Sequence, residues 1–203
     1  MPLAGTATPF DIAEEDQLRA NWYSLLGRLL SAAPDDQLLQ VVAGLRGDQS
    51  DFGKALHSLA AAARATAPDA VEQEFFDLFI GVGASELSPY ASYYLTGFLH
   101  EKPLARLRGD MAQLGIARAE GVPESEDHIA ALCDMMSGMI TGAFGEPVAL
   151  ADQHAFFSQH IGSWAPRFFE DLEAAQRAAF YMPVGTIGRL FIAVEAQAFE
   201  MAA

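Results

Sequence analysis

One cysteine, Cys133, in 203 residues leaves no partner for a disulfide within the chain. Its isolation excludes an internal disulfide framework and a four-thiolate zinc site, and it is compatible with a reducing cytosol. Basic residues are also scarce: 12 Lys and Arg stand against 27 Asp and Glu, a formal net charge of −15. A chain of that sign repels nucleic-acid phosphates and anionic lipid and suits a cationic partner. Nowhere do about 18 apolar residues follow one another, so no span for a bilayer is expected. The opening MPLAGTATPFDIAEED has no basic stretch ahead of an apolar one, and a cytoplasmic protein is the resulting expectation. HExxH and paired CxxC patterns are missing. His128 and Cys133 lie five apart and His154 and His160 six apart, off the spacing that puts two ligands on one helix face. Neither a metal nor another cofactor is expected.

What is present is apolar and helical. Hydrophobic residues make up 51% of the chain, enough for one substantial core, and one domain over 1–203 is the expectation. Leu18, Trp22, Leu25, Leu26, Leu29 and Leu30 recur along one helix face, and that helix should stop near Pro34. Further helices are predicted around 38–45, 52–63 and 68–79, the last ended by the glycines and proline of IGVGASELSPY. One or two more follow with a break near Pro103, then one from about Ser125 to Ile140. Three C-terminal helices are marked by Pro147, Pro166 and Pro183, the last proline preceding its helix. No segment alternates with period two. An all-α fold of about eight or more helices is the reading.

Three stretches stand out as candidate sites. PESEDH, residues 123–128, sets Asp127 beside His128 directly ahead of an apolar helix. Ser125, Glu126 and Asp127 suit a helix start, but a helix N-terminus disfavours imidazolium, so His128 needs a partner of its own. Adjacent helical residues point about 100° apart, which argues against a dyad of Asp127 and His128. GVGAS has glycines but no phosphate-loop context. PYASYY puts aromatics beside an irregular loop, where they serve equally as core or as contact surface.

These stretches together resemble the TorD/DmsD family of redox-enzyme maturation chaperones. The first motif is EFFDLFIGVGASELSPYASYY, with Leu78, Phe79, Gly81, Gly83, Pro89, Tyr90, Ser92 and Tyr93 at the matching places. The second is similar to an acidic Glu-Pro-x-Asp-His motif through Glu124, Asp127 and His128, and a third is FFSQHIGSWAPRFF with His160 and Trp164. Val82, Ser88 and Ser125 depart from the family by standing where prolines are usual. The resemblance implies a TorD-like, non-catalytic cytoplasmic chaperone. Its partner would be an apo molybdenum-cofactor oxidoreductase subunit, held at its twin-arginine signal peptide until the cofactor is inserted.

In that picture Asp127 and Glu124 accept from an arginine, and His128 pins the loop. Leu78, Phe79, Tyr90 and Tyr93 line an apolar groove, and Pro89 and Ser92 are counted with them as peptide-binding residues. A client without a signal peptide, a nucleotide hydrolase using Asp127 and His128, and a homodimer exchanging halves through a hinge near 117–123 are the alternatives.

Overall fold

The computed structural model describes residues 10–82, 85–118, 121 and 123–202. Among them there are ten α-helices and no β-strand, as the patterning predicts. In chain order these are α1 (Glu14–Ser31), α2 (Asp36–Ala43), α3 (Asp51–Ala65), α4 (Pro68–Phe75), α5 (Ala91–Thr96), α6 (Lys102–Gln113), α7 (Ile129–Thr141), α8 (Leu150–His160), α9 (Ala165–Ala174) and α10 (Tyr181–Ala202). A π-helical segment, Phe76–Ile80, continues α4. Gly81 ends it at φ 64°, where its N–H reaches back to the Phe76 carbonyl.

α7 is the centre of the packing. Ile129, Leu132, Cys133, Met136 and Met139 are wholly buried, and α1 lies along it. Burial pushes the Cys133 thiol well up, so it is a small apolar core residue. α10 packs closely on α9, because Gly185 and Gly188 leave space for the α9 backbone at Glu173 and for the Phe169 ring. A polar knot crosses the core where α1, α8 and α10 meet. Arg19 holds Glu195 with two hydrogen bonds, of 2.8 and 2.9 Å, and Tyr23 adds a third of 3.1 Å. Glu74, at the end of α4, accepts from the backbone N–H groups of Ala179, Phe180 and Tyr181 at 2.8, 3.0 and 2.8 Å. It thereby caps the start of α10 from a distant part of the chain.

Two helix starts differ from expectation. α7 begins at Ile129, because Ser125 to His128 are engaged in tertiary contacts and His128 itself supplies the cap. α10 begins at Tyr181, so Pro183 sits inside its first turn. Proline is tolerated there because the first N–H groups of a helix have no intrahelical partner to lose. In the expected hinge over 117–123, residues 119, 120 and 122 lie outside the described set.

Candidate functional site

The two principal motifs, some 35 residues apart, meet as one corner. Ala91 N–H donates to the Asp127 carbonyl at 3.0 Å and Ile129 N–H to the Pro89 carbonyl at 2.9 Å, pairing Tyr90 antiparallel to His128. Side chains complete the join. Asp127 Oδ2 accepts from Ser92 N–H at 2.9 Å, and Oδ1 accepts from the Ser125 hydroxyl at 2.5 Å. The Tyr90 ring stands edge-on to His128 with centroids 5.0 Å apart, and its hydroxyl donates to Glu124. Arg108 grips Glu126 with bonds of 3.1 and 2.8 Å, tying the corner to α6. That cation holds the Glu126 carboxyl below the usual range.

This geometry reassigns several predicted roles. Asp127, Ser92 and Leu78 are all 0% exposed. Asp127 is the pin of the corner, the part expected of His128, because both its oxygens are engaged within the chain. His128 is the N-cap of α7, accepting from Ala130 N–H on Nδ1 at 3.1 Å, which leaves the proton on Nε2. Burial pushes its imidazole down to about 4, against the opposing pull of Glu124 and Asp127. The two side chains therefore form no catalytic dyad. Leu78 is core. Phe79 is half-buried, in an aromatic group with Phe75 and Tyr181, and Pro89 is buried. Of the predicted contact residues, Tyr93 and Glu124 are exposed and Tyr90 is half-buried. Gly83 lies outside the described residues.

Two cavities open on either side of the corner. The smaller, about 220 Å³, has Asp127 in its wall with Lys102, Arg106 and His160. The larger, about 450 Å³, is walled by apolar side chains including Met111, Ile116, Met135 and Phe144. Its polar rim carries Glu124, Glu126 and His128, and with them the cation Arg118. Gly138 leaves room for the Phe144 ring to fold back over α7 and close one end. The third motif proves structural: Trp164 donates to the His160 carbonyl at 2.7 Å, and His160 Nε2 pairs with Asp110 at 2.7 Å.

Sequence reasoning missed two features. Asp134 lies on the wall of the larger cavity, and the signal for it was a lone carboxylate inside the run IAALCDMM. Leu95, Phe98 and Leu99 are exposed beside Tyr93, Phe98 by 69%. Their signal was bulky apolar residues on both sides of Gly97, Leu95 before it and Phe98 and Leu99 after it, where φ values of 82° at Gly97 and 61° at His100 break the helix.

Both motifs of the corner fall within residues 45–170, which match the family model described as nitrate reductase delta subunit. The chain belongs to that family. Relatives include the chaperone protein TorD of Aliivibrio fischeri, 30% identical over 119 residues, which are 55% of this chain and 55% of that protein. The TorD of Salmonella bongori is 30% identical over 150 residues, covering 71% of this chain and 65% of its own length. The chain spans about half the length of the curated relatives it matches first. A putative redox enzyme maturation protein from Archaeoglobus fulgidus shares the fold, with a TM-score of 0.58 at 19% identity over 92% of this chain and 99% of that one. The family match and the relatives named chaperone protein TorD agree in placing the chain among TorD-type proteins.

Proposed function

We propose that this family member is a non-catalytic cytoplasmic maturation chaperone. It binds an apo molybdenum-cofactor oxidoreductase subunit at its twin-arginine signal peptide and delays export until the cofactor is inserted. The observation that carries this reading is the apolar cavity of about 450 Å³ with carboxylates on its rim, set directly behind the junction of the two motifs. A twin-arginine peptide offers guanidinium groups followed by an apolar run, and the net charge of −15 favours its approach. The exposed Tyr93, Leu95, Phe98 and Leu99 supply further apolar surface, on the side of the corner where Leu95 lines the smaller cavity.

Affinity follows from opposing effects. Burial of about 400 Å² of apolar surface contributes about 10 kcal/mol at about 25 cal/mol/Å². Two charge-assisted hydrogen bonds add about 1.5 to 3 kcal/mol each. Ordering and immobilising the peptide offsets about half of this, which leaves an affinity near micromolar. Calorimetric titration with the signal peptide of a molybdoenzyme encoded nearby tests the reading. Micromolar binding, at least about fivefold weaker for a Lys-Lys peptide, is expected from the bidentate geometry that only arginine offers. Failure to bind either peptide would point instead to a client gripped elsewhere than at a signal peptide.

A further inference from the structure

Asp134 differs from the other carboxylates of the large cavity. Glu126 is neutralised by Arg108; Glu124 accepts the Tyr90 hydroxyl, and its carbonyl accepts from Arg118 at 3.3 Å. Among the described residues no hydrogen bond or ion pair reaches the Asp134 carboxylate. It projects from α7 on the strip shared with Ala130, Ala131 and Met135, all of which line the cavity. Although its carboxylate is open to the cavity, desolvation by the surrounding walls raises its carboxyl above the usual range, and no cation offsets this.

On its other side Asp134 lies against Gly27 of α1. A Cβ built at residue 27 would stand 2.5 Å from Asp134 Oδ1, so the glycine is what lets the carboxylate occupy this place. Asp134 is itself exposed, so its free carboxylate is solvated and stands open to a cation that enters the cavity.

We propose that Asp134 is the carboxylate that receives a guanidinium of the bound peptide, making it the residue that selects arginine over lysine. This rests on the peptide-binding reading above and moves the recognition of charge from Asp127, whose oxygens are engaged, to a group whose oxygens are not. The occupant is an arginine side chain with an apolar neighbour. Its planar face lies against the Met135 and Phe144 walls, and its N–H groups meet the Asp134 carboxylate from the cavity side. A volume of about 450 Å³ lies within the range of sites that take such groups. Lysine, a strongly hydrated point charge, gains less in the same cavity.

The test is calorimetric titration of twin-arginine and Lys-Lys peptides against wild type, Asp134→Asn, Gly27→Ala and, as a control for bulk charge, Glu200→Gln at the exposed end of α10. Asp134→Asn is expected to weaken the twin-arginine peptide about tenfold and to abolish the preference over Lys-Lys. Gly27→Ala favours the helix and turns the Asp134 carboxylate aside, so it should lower peptide affinity without lowering the thermal midpoint. Glu200→Gln should change neither. Wild type binding with an arginine preference that both Asp134→Asn and Gly27→Ala retain would overturn the role of Asp134 and leave the proposed function standing. Wild type binding neither peptide would overturn both.

Discussion

Glu74→Ala is expected to lower the free energy of unfolding by about 3 kcal/mol or more, enough to remove a large part of a domain's stability. The carboxylate is only 8% exposed and accepts three backbone N–H groups at the start of the 22-residue α10. Those donors have no intrahelical partner, and the helix dipole adds to the attraction for a negative charge. Alanine leaves three donors short of an acceptor in a place water reaches poorly, each worth about 1 kcal/mol or more. Burial, and after it the Glu74 charge, push the nearby Tyr181 hydroxyl well up, so the tyrosine stays neutral beside the carboxylate. Urea denaturation followed by far-UV circular dichroism measures the loss. A midpoint that hardly moves would mean that α10 finds its cap elsewhere. Because Glu74 opens the EFFDLF motif, the acidic residue of that motif acts as a brace between α4 and α10.

A second large effect is acid lability through His128. Its imidazole is held at about 4 by burial, against an ordinary value of 6.5 in the unfolded chain. The unfolded state therefore takes up the proton first as pH falls. Stability contributed by the neutral ring is fully present above about pH 6.5 and declines between about 6.5 and 4, by about 3 kcal/mol at most. Glu126, lowered by Arg108, acts in the same direction at lower pH, whereas Asp134, raised by desolvation, acts against it. His128→Asn separates these contributions, since asparagine keeps a capping acceptor and does not titrate. Chemical denaturation at several pH values should show the decline flattened in the variant. Equal slopes in the two proteins would place the acid sensitivity elsewhere.

The helices were legible because apolar spacing is a local property. The breaks at Pro34, Gly81 and Pro103 and the face of α7 appear much as the patterning implies. Leu18 was not legible: it shares the spacing of the α1 stripe yet is 58% exposed, while Tyr23, outside that reading, is buried against Glu195 far along the chain.

The corner followed the same division. Resemblance drew attention to both motifs, and the chain brings them into contact. The division of labour between Asp127 and His128 depended on Ser92 N–H and on where α7 begins, and no spacing rule carries that information. Asp134 was legible only as an interruption, because its significance comes from Gly27 and the cavity walls contributed by other helices.

The central claim is that a client's basic and apolar segment lies in the large cavity at the joined motifs. Hydrogen–deuterium exchange with and without a saturating twin-arginine peptide tests it most directly. Protection is predicted in fragments covering 111–118 and 123–135, which line the cavity, with fragments of α2 and α3 unchanged. Protection confined to α2, α3 or another face, with the corner exchanging as before, would contradict the account.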